Sequence, residues 1–143
     1  MIQLIKRQLK IDWWGHHGVR HWARVRRNGR IIAQHVPGIN TAVMDLFAVL
    51  HDAGRIDEHD DPEHGWRCAV WLRRLHNPGD FGLSTSQYTE LLFAIEHHSD
   101  QIKPISPTVA ACWNADRLDI GRVGLTPSKR FMCHEALPPD HII

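Results

Sequence analysis

The sequence predicts an all-α protein, a single-domain helical bundle of about five core helices. Five segments carry apolar residues at the i, i+3, i+4 spacing of an amphipathic helix, and clusters of Pro, Gly and Asp separate them. Only residues 29–33 could form a short strand, and Gly29 is expected to weaken or end the first helix. The 143 residues are enough for one hydrophobic core. We predict that the domain core covers residues 17–124, with the N-terminal extension and the C-terminal tail packing on it.

The predicted helices span residues 17–34, 40–53, 62–75, 84–98 and 106–120. Ser84 followed by Gln87 forms a capping box at the start of the fourth helix. Ser106 as N-cap and a proline directly after it open the fifth. The third helix is expected to turn Leu75 inward with the rest of its apolar face.

Composition excludes several classes of protein. The net charge is +1, so nothing in the overall balance predicts nucleic acid or an anionic membrane as a partner. No apolar run approaches the roughly 18 residues of a spanning helix. The 3 cysteines are widely spaced and include no CxxC pair, which favours neither a disulfide framework nor a thiolate zinc site. We therefore expect a cytoplasmic protein.

Polar residues interrupt the apolar faces of the predicted helices. The stretch LFAVLHDAGR ends a buried helix in His51 and Asp52, and Asp116 falls where the fifth helix should carry an apolar residue. At about 100° per residue, His98 lies near the seam of the fourth helix, whereas His97 points away. The first and third helices carry further histidines at or near their seams, His21 and His64.

This pattern is typical of a metal site in a helical bundle, where neutral imidazoles and carboxylates supply the lone pairs. A single histidine on a helix seam is more often a hydrogen-bonded core residue. The joint occurrence of such residues on every predicted helix favours the metal site, because a buried lone carboxylate is costly without a cation.

Five ordered segments resemble motifs of the HD-domain superfamily of metal-dependent phosphohydrolases, in its H-HD-H-H-D form. The segments are HGVRHWARV, LFAVLHDAGR, DPEHGWRCAVWL, AIEHHSD and WNADRLDIGRVG. The resemblance covers most of the chain, from residue 17 to about residue 124. It implies that one metal is held by His21, His51, Asp52 and Asp116. A second would be held by His64 and His98, with Asp52 bridging.

The implied cofactor is one or two divalent ions, chosen from Mn, Fe, Co, Ni and Zn, with Mg as a further candidate. The implied reaction is hydrolysis of a small phosphate substrate such as a nucleotide, by a water that the metals activate. Asp52, Arg55 and Arg24 are the predicted catalytic residues. Arg55 stands where many members have Lys, and it remains able to bind phosphate. The GYP signature of cyclic-dinucleotide members is absent.

Several neighbours of these residues have open roles. Arg20 could neutralise phosphate at the mouth of the site, and His17 could orient His21 or contact the substrate. Asp119 could hold a ligand or pair with Arg122. The tryptophans are expected to lie mostly in the core, although those beside proposed ligands, Trp22 and Trp66, could form a base-stacking wall.

Two other functions stay open at this level. The same ligand set occurs in relatives that act as mixed-valence di-iron oxygenases, which iron content and O₂ consumption would reveal. The third alternative is a non-catalytic, metal-stabilised binding module, in which loss of metal lowers stability and no phosphate ester is cleaved.

Overall fold

The computed structural model describes residues 1–143 and contains six α-helices and no strand, which confirms the all-α fold. The helices are α1 (Ile2–Gln8), α2 (Val19–His35), α3 (Thr41–Leu50), α4 (His64–Leu75), α5 (Thr85–His97) and α6 (Pro107–Arg117). Short 3₁₀ turns follow α4 and make up most of the C-terminal tail: Pro78–Phe81, Ile120–Val123, Lys129–Phe131, His134–Ala136 and Asp140–Ile142.

Local capping signals set where the helices begin. The Asn40 side chain accepts a hydrogen bond from the third backbone N–H of α3. At α5, the Ser84 hydroxyl accepts from the Gln87 backbone N–H, and the Gln87 side chain accepts from the Ser84 N–H. The Ser106 hydroxyl caps α6 in the same way, with proline at the first helical position. Each cap pairs backbone donors that the first turn leaves without partners.

The first predicted helix, residues 17–34, corresponds to α2, which continues through Gly29 to His35. Gly29 therefore does not end the helix, and the possible short strand at residues 29–33 does not form. Gly29 is buried where α2 crosses α3, and a Cβ there would lie 2.4 Å from the Met44 sulfur. The glycine therefore serves the close approach of two helices rather than ending one. It costs the helix some stability, and the packing of α2 on α3 compensates for that cost.

A second close approach brings α4 against α5. A Cβ at Gly65 would lie 2.5 Å from the backbone oxygen of Ile95, which leaves room for no side chain. A Cβ at Gly54 would lie 2.4 Å from the backbone oxygen of His64. These contacts hold the start of α4 against both the end of α5 and the turn after α3.

The core forms where α2, α3, α5 and α6 meet, with α4 packed on α5. One expectation about its edges is wrong. Leu75 is 67% exposed, since it ends α4 and points away from α5. The N-terminal segment, for which no helix was predicted, forms α1 and inserts Ile5 into the core.

The C-terminal tail is fixed to α6 by one asparagine. The buried Asn114 side chain donates to the backbone oxygens of Cys133 and Ala136, both at 2.9 Å, and accepts from the Cys133 N–H at 2.7 Å. Met132 and Ala136 are buried against the bundle.

None of the helices combines the length and the hydrophobicity that a bilayer crossing requires.

Candidate metal centre

All of the residues predicted to bind metal lie in one cluster at the centre of the bundle. Each comes from a different position around it: His21 from α2, His51 and Asp52 from the turn after α3, His64 from the start of α4, His98 from the end of α5, and Asp116 from α6. Asp116 is partly exposed and the other members are buried. Imidazole nitrogens and carboxylate oxygens meet closely enough to hold an ion in three overlapping groups.

One half of the cluster contains His21, His51, Asp116 and one oxygen of Asp52. The Nε2 atoms of His21 and His51 are 3.1 Å apart. Asp52 Oδ2 lies 3.4 Å from His21 Nε2 and 3.2 Å from His51 Nε2. Asp116 Oδ1 lies 3.2 Å and 3.7 Å from the same two nitrogens. Both carboxylate oxygens therefore lie close to the same two imidazole nitrogens, and His51 and Asp116 also form a group with His98 that joins this half to the other.

The other half contains His64, His98 and the second oxygen of Asp52. The two Nε2 atoms are 2.7 Å apart. Asp52 Oδ1 lies 3.4 Å from His64 Nε2 and 3.8 Å from His98 Nε2. Asp52 thus presents one carboxylate oxygen to each half, as a residue that bridges two ions would.

The other ring nitrogen of each histidine has an acceptor, which fixes the orientation of the ring. His51 Nδ1 donates to the Phe47 backbone oxygen at 3.1 Å and His98 Nδ1 to the Ile95 oxygen at 2.6 Å. His64 Nδ1 donates to the Asp61 backbone oxygen. A carbonyl oxygen can only accept, so Nδ1 carries the hydrogen and Nε2 of each neutral ring presents a lone pair. Facing lone pairs repel unless a cation or a proton lies between them.

The spacing of the donor atoms fits metal ligation. Bonds of about 2.1 Å at angles of 90–110° separate neighbouring ligand atoms by about 3.0–3.4 Å, and most of the contacts above fall within or close to that range. Asp52 Oδ2 and Asp116 Oδ1 are buried and have no hydrogen-bond donor. Such orphaned oxygens are costly unless a cation satisfies them. The residues present therefore fit one ion in each half.

The electrostatics of the cluster also call for positive charge. Burial alone would lower the pKa of His21, but the neighbouring carboxylates of Asp116, Asp119 and Asp52 outweigh it and raise the pKa to about 10. Burial would raise the pKa of Asp116, yet the neighbouring imidazoles of His21 and His51 hold it well below its usual range. In the second half, burial and the neighbouring His98 lower the pKa of His64 to about 4, so its ring stays neutral and ready to ligate.

The sequence left the role of Asp119 open, and in the structure its carboxylate pairs with His21. Its carboxylate accepts from His21 Nδ1 at 2.7 Å and from Arg24 Nε at 2.6 Å. Arg122 reaches only the Asp119 backbone oxygen, at 3.1 Å. A carboxylate on the distal nitrogen of a ligating histidine orients the ring and raises its basicity. Arg24, a predicted catalytic residue, therefore contacts the cluster through Asp119.

Arg55 contacts the bridging carboxylate directly. Its Nε donates to Asp52 Oδ1 at 3.0 Å, and its Nη1 donates to the Asp57 backbone oxygen at 3.1 Å. An ionised carboxylate oxygen has two lone pairs, so this hydrogen bond leaves Oδ1 able to face His64 and His98 as well.

His17 does not hydrogen-bond to His21, so it does not orient that ring. Its Nδ1 instead pairs with Glu58 Oε2 at 2.7 Å, while the two imidazoles meet edge to face with centroids 6.2 Å apart. A Cβ at Gly15 would lie 2.1 Å from Glu58 Oε1. The glycine thus lets the loop before α2 close over the acidic loop before α4.

The tryptophans divide between core and surface. Trp22 is 1% exposed and belongs to the core, which excludes it from a base-stacking wall. Trp66 is 53% exposed and lines a surface cleft with Pro62 and His97, to which none of the proposed ligands contributes. Trp14, which had no assigned role, is 62% exposed, and the Arg20 guanidinium lies over its ring at 5.4 Å.

Searches of protein-family models, of curated proteins and of solved structures found no match to this chain.

Proposed function

We propose that this protein is a cytoplasmic metal-dependent phosphohydrolase of the HD-domain type, acting on a small phosphate ester such as a nucleotide. The observation that carries the proposal is the convergence of Nε2 atoms on both oxygens of Asp52, where no hydrogen-bond donor satisfies the buried Asp52 Oδ2. Three free cysteines are compatible with a reducing compartment.

The ligand roles follow from the two halves of the cluster. His21, His51 and Asp116 would hold one divalent ion and His64 with His98 the other, while Asp52 would ligate both. When bound, such ions lower the pKa of water and offset negative charge on a phosphoryl group. The protein's part is to fix the imidazoles through their Nδ1 hydrogen bonds and to keep the ligands buried.

Cations at the edge of the cluster favour an anionic substrate over dioxygen. Arg55 lies against Asp52 and would offer its remaining guanidinium hydrogens to a phosphate oxygen. Arg24 is held through Nε by Asp119, which leaves its terminal nitrogens for an anionic group of the substrate. Arginine binds phosphate in a bidentate manner, so a fixed guanidinium positions the ester as well as attracting it.

Metal analysis followed by a substrate panel tests the proposal. Purified protein is stripped with a chelator and reloaded separately with Mn, Fe, Co, Ni, Zn or Mg. Phosphate release is then measured for nucleoside monophosphates, simple phosphomonoesters and phosphodiesters. For at least one of these metals, we expect two ions per chain. We also expect ester hydrolysis that disappears on chelation and returns on reloading.

Two outcomes would overturn the proposal in favour of the alternatives. Iron-loaded protein that consumes O₂ and cleaves no ester would be an oxygenase with the same ligand set. Protein that gains thermal stability from metal, yet neither cleaves esters nor consumes O₂, would be a metal-stabilised binding module.

A further inference from the structure

A basic pocket lies beside the metal centre, and the proposed ligands do not line it. Its walls are formed by Trp14, Gly15, His16, Arg20, Arg24 and Arg122, and its volume is about 370 Å³. No carboxylate residue lines this arginine pocket, although the chain as a whole carries a net charge of only +1. Asp119 and Asp116 offset the charges of Arg24 and Arg122 from outside the pocket, whereas Arg20 makes no ion pair. An anion in the pocket would therefore meet one uncompensated guanidinium beside two that already have an acidic partner.

The arginine pocket retains unused hydrogen-bond donors. Arg122 donates to the Asp119 backbone oxygen through Nη1, but its Nε is buried without a partner. Arg24 uses only Nε, for Asp119. Arg20 makes no ion pair and is held over the ring of Trp14 by a cation–π contact. Arg20 and the terminal nitrogens of Arg24 can therefore still donate to a ligand.

Two of these arginines connect the pocket to the metal centre. Arg24 reaches it through Asp119, which accepts from His21 Nδ1. Arg122 Nη2 lies 3.6 Å from Asp116 Oδ1. A molecule whose phosphoryl group lies at the metal centre would therefore extend towards Arg20 and Trp14.

We propose that the arginine pocket binds a second anionic group of the substrate, so that the preferred substrates are small molecules carrying a second phosphate beyond the one that is cleaved. This inference rests on the proposed function and names its substrate class. A pocket of this size is at the small end of small-molecule sites. Its guanidinium groups suit phosphate oxygens better than a neutral group, because charge-assisted hydrogen bonds are the stronger ones.

The first test measures binding without catalysis. Calorimetric titration of inorganic phosphate into the metal-stripped protein measures anion binding without bound metals, and the Arg20 variant assigns that binding to the pocket. We expect one site, with affinity that falls as salt is added, and about tenfold weaker binding in Arg20→Gln. Arg27→Gln is the matched control, since Arg27 is exposed on the same helix and makes no ion pair. That variant should bind phosphate within about twofold of the wild-type protein.

The second test measures substrate preference in metal-loaded protein. Two monoesters of the same alcohol are compared, one of which carries a second phosphate. We expect the second phosphate to raise kcat/KM at least about tenfold, and Arg20→Gln to remove most of that preference while Arg27→Gln preserves it.

The outcomes separate this inference from the proposed function. Ester hydrolysis with no preference for a second phosphate, together with phosphate binding that Arg20→Gln leaves unchanged, would overturn the pocket and leave the hydrolase. Phosphate binding that depends on Arg20, in a protein that cleaves no ester, would support the anion site and overturn the hydrolase.

Discussion

Replacing Asp52 by asparagine changes one oxygen of the cluster to nitrogen and removes one charge, while the shape of the side chain is kept. The two carboxylate oxygens face different halves of the cluster. The amide nitrogen must therefore face one pair of imidazoles, where its hydrogens would occupy their lone pairs. That half should lose its ion, and the other half should bind more weakly because its ligand has become neutral.

The size of the effect follows from linkage. An ion present at 1,000 times its Kd stabilises the folded state by about 4 kcal/mol. For a chain of about 150 residues each kcal/mol raises Tm by about 4 °C, so each ion should raise it by about 16 °C. The wild-type protein should therefore gain about 30 °C on full loading, and Asp52→Asn should gain less than about half of that.

The assay is thermal unfolding with and without metal, combined with metal content per chain. Asp45→Asn serves as the control: Asp45 lies on α3 and pairs with Arg26 and Arg30 at the surface, far from the ligands. This variant should keep the full increment on loading even if its own Tm falls slightly. Two ions per chain and an undiminished increment in Asp52→Asn would refute the bridging role.

Five further substitutions test individual parts of the site and the bundle. His98→Ala should lose an ion and phosphate release, while His97→Ala keeps both, because only His98 faces the ligand cluster; metal analysis separates the two. Asp119→Asn should weaken metal binding by about 10–100-fold in a chelator competition, since it removes the carboxylate that orients a ligating ring. Arg55→Gln should keep its metal and lower kcat/KM by about tenfold or more, the loss expected for a charge-assisted hydrogen bond. Gly65→Ala should lower the free energy of unfolding by about 1–3 kcal/mol in a denaturant titration, because its methyl group would meet the backbone of α5.

Opposite results would contradict each of these expectations. If His97→Ala lost more metal than His98→Ala, His97 rather than His98 would be the ligand. If Asp119→Asn bound metal as tightly as the wild-type protein, the hydrogen bond from His21 to Asp119 would not contribute to metal affinity. Loss of metal from Arg55→Gln would make Arg55 structural. Gly121→Ala is the control for the glycine variant, since a Cβ at Gly121 would meet no atom within 4 Å.

The sequence predicted the core helices well because their signals are local. The capping box at Ser84 and the Ser106 N-cap depend on residues three positions apart, and both form as expected. The helix end and the short strand that Gly29 suggested as possibilities did not form, for the opposite reason. Only contact with Met44, on another helix, explains a glycine within α2. Helix α1 was not predicted because it has 7 residues and a single buried side chain, too few to show an apolar periodicity.

In the site, too, features set by neighbouring residues were predicted from the sequence, whereas contacts between residues far apart in the chain were not. Helical phase alone turned His98 inward and His97 outward, and the structure places their side chains accordingly. The pairing of Asp119 with His21 and Arg24 joins residues 98 and 95 positions apart. No pattern within a single helix could have indicated it.

The hydrogen bonds from ligand Nδ1 atoms to nearby backbone oxygens have a consequence for metal selection. These contacts hold the rings of His51 and His98 in place before any ion arrives, so a range of first-row ions can enter with little rearrangement of the protein. Affinity alone would then favour copper and zinc over manganese or iron, as the Irving–Williams order requires. The ion that occupies the protein in a cell would accordingly be set by which metals that cell keeps available, and a recombinant preparation would carry the metals of its growth medium.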